Sequence, residues 1–498
     1  MASFQATRRQ LFAGAAAVAA GATVCPFGAA SAAAGPTQPG WGHAAAQRGT
    51  DIAVTAGRSA EGRFGLMFKK LAAYAPPDDL LLGLAAQMED PRVPGTDPSI
   101  GDQFDNLAVP AGFTFLGQFI DHDMTRDTTP MPQQVSDPHG LVNFDSPLFD
   151  LQSVYGRGPS LDPQLYEPDG RTLRLVPSPD GVLDLPRAAD DTAFIGDPRN
   201  DENHVVVQLH IAFMRLHNTF VADGRSFADA RRLTQWHFQW VIVHDYLPHI
   251  VGPEVVDRLL TTTKKSVSYV GTLYKPKNPN KPMMPLEYAV AAFRFGHSMI
   301  RPEYEMHQGS VVPIFGTAGQ DLRGSCPLRA DVEADWNYFF EIPGREAPDD
   351  RNMSRLMDTR LSLPLFHLPT TVVAQDPNGA PRMDSLAERN LMRGKRLGMP
   401  SGQDVARAMG VVPLSNADLG LCDPRWSGRA PLWFYVLKEA ELQYGGAHLG
   451  TVGGRIVAET ILGILSTDKS SYLNAGPTWR PSAGDFRMGD LLLLGGAV

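Results

Sequence analysis

Apolar residues recur with helical spacing in a few long stretches, and Gly/Pro-rich polar chain separates them. "ENHVVVQLHIAFMRLHNTFVADG" (202–224) predicts one helix, with Gly224 as its stop. "GRSFADARRLTQWHFQWVIVHDYLPHIV" (224–251) holds another. "PLEYAVAAFRFGHSMI" (285–300) predicts a third, bounded by Pro285 and Pro302. "PLWFYVLKEAELQYGG" (431–446) and "GGRIVAETILGILSTD" (453–468) complete the strong helical segments. Strand patterns are few and short. The pattern therefore predicts a mainly α, large single-domain fold over residues 66–498 with little β. Unusually long loops at 125–200 and 303–350 suit segments that carry function.

Composition narrows the function classes. The chain has 498 residues, 43% of them hydrophobic, which is enough for a sizeable core. A net charge of −9 argues against a nucleic-acid binder, which would carry a basic face. Gly 48 and Pro 41 are high counts and predict many turns. Of three cysteines, Cys25 falls in the N-terminal segment. Cys326 and Cys422 remain, and the sequence leaves open whether they pair.

Residues 1–32 read as an export signal. Arg8 and Arg9 precede a weakly hydrophobic Ala/Gly run, and Ala30-Ser31-Ala32 offers a cleavage site. The run is too short and Ala-rich for a transmembrane span. The paired arginines point to the twin-arginine route and a periplasmic or extracellular destination. Export of a folded chain suits a protein that takes up a cofactor before crossing. Residues 33–65 read as an extended N-terminal arm.

Four polar clusters carry candidate chemistry. In "FLGQFIDHDM" (115–124), Gln118 and His122 are four apart and share a helical face, with Asp121 and Asp123 to either side of His122. In "GDPRNDEN" (196–203), Arg199 and Glu202 stand three apart at a helix start. In "AAFRFGHSMIRP" (291–302), Arg294 and His297 are three apart, and Gly296 would let a flat group approach the backbone. In "ERNLMRGKRLGMPSGQ" (388–403), Asn390 and Arg393 are three apart. Taken singly, each has an ordinary explanation: a satisfied core histidine, a helix cap, another core histidine, a solvated helix end.

Taken together and in this order, the chain resembles the animal-type haem peroxidases of the peroxidase–cyclooxygenase superfamily, most of all their bacterial members. "GQFIDHD" is similar to the distal-histidine motif, "GDPRNDE" to the catalytic-arginine motif and "FRFGH" to the proximal-histidine motif. "NLMRGKRLGMP" is similar to the proximal-asparagine segment, with "KRLG" where the family usually has Arg-Asp-His-Gly. The resemblance covers roughly residues 70–480.

The resemblance implies haem b as cofactor. His297 would ligate its iron, and Asn390 would hold the other ring nitrogen. His122 would shuttle the peroxide proton, Arg199 would stabilise the departing oxygen, and Gln118 would order a distal water or anion. Arg393 would pair with a propionate, and Arg294 belongs with the cofactor-binding residues. Asp121 and Glu202 align with carboxylates that form ester links to haem in mammalian members. Asn203 stands where the chloride-oxidising branch has a methionine, which argues against chloride oxidation. Calcium is also implied, held by Asp123 with Ser146, the Leu148 carbonyl, Asp150 and Gln152 of "SPLFDLQSVYG".

The expected function is peroxidase: reduction of hydrogen peroxide with oxidation of a small donor such as a phenol, iodide, bromide or thiocyanate. One alternative is a fatty-acid oxygenase of the same superfamily. Its radical tyrosine would stand three residues before His297, where this chain has Arg294, and the nearest upstream tyrosine is Tyr288. Another is a non-catalytic exported scaffold or adhesion protein. The physiological donor and the oligomeric state are not encoded in any recognisable pattern.

Overall fold

A computed structural model describes residues 64–90, 104–125, 147–263, 266–277, 282–369, 384–475, 479–482 and 484–498. The export signal and almost all of the N-terminal arm lie outside the described residues. The α-helices are α1 (Asp78–Gln87), α2 (Gly112–Met124), α3 (Gln152–Tyr155), α4 (His204–Ala222), α5 (Phe227–Val241) and α6 (Leu247–Val251). They continue with α7 (Pro253–Leu259), α8 (Leu386–Arg396), α9 (Gly402–Ala408), α10 (Leu432–Tyr444), α11 (Thr451–Thr467) and α12 (Met488–Leu494). The described strands form only two-stranded pairs. The longest, Asp105–Pro110, pairs antiparallel with Met353–Arg355 through a bulge and leads into α2.

Helix α2 forms the centre because nearly all of it is buried, with Phe113, Phe115, Leu116, Phe119, Ile120 and Met124 in the core. Phe119 stacks on Phe213 of α4 at 4.9 Å and meets Phe238 of α5 edge-on at 5.8 Å. Aromatic pairs in these geometries add about 0.5–1.5 kcal/mol beyond area burial. Gly117 is required on the opposite side, since a Cβ there would lie 2.6 Å from the Tyr246 hydroxyl. Helices α10 and α11 pack on each other and on the 292–297 segment, while α8 packs on α1 and α10.

The expected helix over 285–300 is present in altered form. Glu287–Ala291 is a π turn, and Ala292–His297 is a tight 3₁₀ helix. The break falls at Ala291, whose φ of −126° leaves the helical region. Side chains take up the freed carbonyls: Arg294 Nε donates to Ala289 O at 3.1 Å, and Trp433 Nε1 donates to Arg294 O at 3.1 Å. Such interruptions are common where a helix presents a functional side chain. The 224–251 segment is likewise α5, a π turn over Ile242–Tyr246, and α6. Cys326 is buried and Cys422 is exposed and free, so these two cysteines do not pair.

Candidate active site

His122 lies on the last turn of α2 and is only 5% exposed. Its Nδ1 lies 2.8 Å from Oδ1 of Asn200. Burial, reinforced by the Arg199 charge, pushes the ring down to about 4, so it is neutral near pH 7. Gln118, one turn earlier, has a buried Nε2 with no hydrogen-bond partner among the described residues. A buried unsatisfied amide costs roughly 1–3 kcal/mol and marks a place for a water or ligand.

Arg199 sits on a 3₁₀ turn, Pro198–Asp201, ahead of α4. Proline at its first position and the Asp197 side chain, which accepts from Arg199 N, start the turn. Asn203 then caps α4, accepting from Val205 N at 2.8 Å. The Arg199 guanidinium is held by Asp197 at 2.6 Å and donates to the backbone oxygens of His122 (2.8 Å) and Thr125 (2.5 Å). A cation on these last carbonyls also complements the helix dipole. Arg199 therefore fixes the end of the helix that carries His122. Glu202 follows on the same turn and is half-buried.

His297 ends the 3₁₀ helix on the other side, also 5% exposed. Burial and the nearby Arg294 push it down to about 3. The fully buried Asn390 of α8 brings Nδ2 to 2.8 Å from His297 Nδ1. A half-turn of that amide presents Oδ1 to Nδ1–H instead and leaves Nε2 as a bare lone pair. A Cβ at Gly296 would meet nothing within 4 Å, so the backbone beside His297 borders open space.

The neighbours of both histidines wall one cleft of about 450 Å³, its open mouth included. Asp121, Thr125 and Arg199 come from the His122 side; Arg294, Arg393, Ala289 and Val290 come from the His297 side. Glu202 is not on its wall. One turn from Arg393, burial and the charges of Arg393 and Arg396 hold the Arg389 guanidinium at about 10. Crowded, half-buried cations favour a ligand bearing carboxylates. The cleft's apolar wall and its arginines fit a haem, while His122, Gln118, His297 and Asn390 are not themselves on that wall.

The fit to calcium is different. Both carboxylate oxygens of Asp123 accept from the 151–153 segment: Leu151 N at 2.9 Å, Ser153 Oγ at 3.2 Å and Ser153 N at 3.4 Å. Asp150 Oδ1 accepts from Gln152 N at 3.2 Å. Among the described residues no three His, Cys, Asp or Glu side chains cluster as a metal would need. Gln152 Oε1 is buried without a partner among the described residues, Leu148 is half-buried, and Ser146 lies outside them. The described residues alone do not supply the six to eight oxygens that calcium takes.

Two groups escaped the sequence reading, Asn200 and His210, because neither stands in a recognisable spacing. Asn200 Nδ2 lies 3.2 Å from His210 Nδ1, extending the contact with His122 into the core. The only sequence signal was, for His210, polarity inside an apolar helix and, for Asn200, its place beside Arg199 in "GDPRNDEN".

Residues 122–418 match the sequence model of the animal haem peroxidase family. A peroxidase-like protein of Margaritifera margaritifera is 27% identical over 302 residues, covering 55% of this chain and 36% of that protein. The chain thus spans little more than a third of that relative. Peroxidase A from Dictyostelium discoideum shares the fold with a TM-score of 0.58 at 16% identity, covering 87% of this chain and 92% of that one. A fatty acid alpha-dioxygenase from Arabidopsis thaliana follows with a TM-score of 0.55 at 16% identity, covering 88% and 78%. With four motifs converging on one cleft and the family match covering more than half its length, the chain belongs to the animal haem peroxidase family.

Proposed function

We propose that the protein is a haem b peroxidase that reduces hydrogen peroxide and oxidises a small donor: a phenol, iodide, bromide or thiocyanate. The observation that carries this reading is the single cleft walled by the neighbours of His122 and Arg199 on one side and of His297 and Asn390 on the other. Haem, when bound, would supply the redox chemistry that reduces peroxide and passes oxidising equivalents to donors. His297 Nε2 would hold the iron, and Asn390 would fix the proton on Nδ1 and raise the basicity of the ring. His122 Nε2 takes a proton from the attacking peroxide oxygen and delivers it to the departing one. The Arg199 charge favours the negative charge that builds on the departing oxygen. Gln118 Nε2 donates to the distal water or anion. Arg393 and Arg294 receive the cofactor's carboxylates.

Asp121, on the cleft wall, is the first candidate for an ester to haem and Glu202 the second. Acid–organic extraction after peroxide turnover tests this: haem that leaves the protein completely contradicts it. The calcium expectation at Asp123, Ser146, Leu148, Asp150 and Gln152 lacks a full oxygen set among the described residues, and elemental analysis tests it: bound calcium would restore it and absence of the metal would end it. The twin arginines support export, which cell fractionation tests.

Donor screening with haem-loaded protein tests the function. Peroxide-dependent oxidation of a phenol or iodide is expected. Oxygen uptake with a fatty acid and no peroxide turnover would favour the oxygenase reading, which Arg294 at the tyrosine position disfavours. No activity of either kind would favour the scaffold reading.

A further inference from the structure

Asn200 stands between two buried histidines. Its Oδ1 lies 2.8 Å from Nδ1 of His122, and its Nδ2 lies 3.2 Å from Nδ1 of His210. The asparagine is fully buried, so water does not compete for either end. An amide has one accepting and one donating end, and that imposes direction on the chain. Nδ2 donates to His210, so His210 Nδ1 is a lone pair and its proton sits on Nε2. Oδ1 accepts from His122, so the His122 proton sits on Nδ1. His122 Nε2 is then bare and can take a proton. With the amide reversed, the proton would lie on His122 Nε2, and that nitrogen could not act as a base.

We infer that Asn200 is a positioning residue that holds His122 in the Nδ1–H tautomer, with His210 anchoring the orientation of the Asn200 amide. The inference rests on the reading of His122 as the group that takes the peroxide proton. Three features support the rigidity it requires. Asn200 N donates to Asp197 O at 3.0 Å, closing the turn. The next residue, Asp201, is held by Arg187 through two bonds of 2.7 and 2.8 Å. His210 packs edge-on against Phe119, one turn before His122 on α2, at 6.4 Å.

The test is ¹⁵N NMR of the full chain labelled at histidine, with and without haem. The His122 signals are assigned by their loss in His122→Ala. Protonated and bare ring nitrogens resonate far apart, so the tautomer is read directly. Wild type should show Nδ1–H and a bare Nε2. Asn200→Ala should lose that preference, and its haem-loaded form should react with peroxide about ten-fold more slowly or worse, within the span of general acid–base effects. Asn200→Asp keeps the acceptor for His122 and should restore the tautomer and most of the rate. His210→Phe should weaken the preference by freeing the amide to turn. A wild-type His122 protonated on Nε2 overturns the inference, as does an Asn200→Ala protein with wild-type tautomer and rate. If Asn200→Ala does not fold, the wild-type and Asn200→Asp spectra decide alone. A chain that shows the expected tautomer but ignores peroxide keeps the assignment of Asn200 and defeats the peroxidase reading instead.

Discussion

Replacing Asp123 by alanine probes how the distal helix is anchored. The Asp123 carboxylate accepts two bonds of 2.9 and 3.2 Å and a weaker one of 3.4 Å from Leu151 and Ser153. The same segment holds the arginine turn: Asp197 N donates to Ser153 O at 3.1 Å, and a Cβ on Gly196 would lie 2.1 Å from that oxygen. Leu151 sits at φ 54°, a left-handed conformation that a leucine adopts only when held. A hydrogen bond to a charged group contributes about 1.5–3 kcal/mol, so two good bonds amount to roughly 3–6 kcal/mol. For a domain of about 400 residues the unfolding entropy is near 0.8 kcal/mol/K, so Asp123→Ala should melt about 4–7 °C lower. Peroxidase activity should fall with it, because His122 and Arg199 share this bracket. Asparagine should rescue little, since its amide donor would face another donor. The assay is thermal melting by circular dichroism, before and after exhaustive chelation. Direct bonds need no cation, so chelated wild type should melt where untreated wild type does. An Asp123→Ala protein melting within about 1 °C of wild type would refute the bracket. A chelated wild type melting as low as the variant would transfer the role to calcium.

Acid should destabilise the fold early. His204, His210 and His217 are buried, and burial pushes them down to about 3, 3 and 4 from 6.5. Between those values and 6.5 the unfolded chain binds protons that the folded one does not. Stability is therefore full above pH 6.5 and is lost as pH falls, by up to about 1.4 kcal/mol per pH unit for each histidine. Denaturant melts from pH 7 to 5 should show uptake of more than two protons on unfolding, and a slope under one proton would contradict this. His297→Ala should fail to hold haem, read as loss of the Soret band; a full normal band would remove it as the ligand. Asn390→Ala should retain haem about 10–100-fold more weakly, read by haem transfer to an acceptor protein. Wild-type retention would separate Asn390 from the site.

The sequence was most legible where one period held over many residues. The 202–224 and 453–468 patterns became α4 and α11 with ends displaced by about two residues or less. The 285–300 pattern kept helical spacing throughout, and that spacing does not distinguish an α-helix from π and 3₁₀ turns. What decides that segment is tertiary: the Trp433 indole and the Arg294 side chain take up the carbonyls that an α-helix would have used internally. Helices α1 and α8 were harder to foresee. Their capping signals, Pro77 before paired aspartates and Ser385 before Glu388, are short-range and common in loops. The site's outline was legible because motif order carried it. The Asn200–His122 contact was not, since it depends on a turn folding back onto α2 from 78 residues away in sequence.

The most direct test of the account is stopped-flow mixing of peroxide with haem-loaded wild type and His122→Ala, followed in the Soret region. Both should start from the same spectrum, because His297 and Asn390 are untouched. The variant should then react about 10²–10⁴-fold more slowly, the span expected when a proton-transfer group is removed. Equal rates would contradict the assignment of His122 and, with it, the peroxidase mechanism drawn from this cleft.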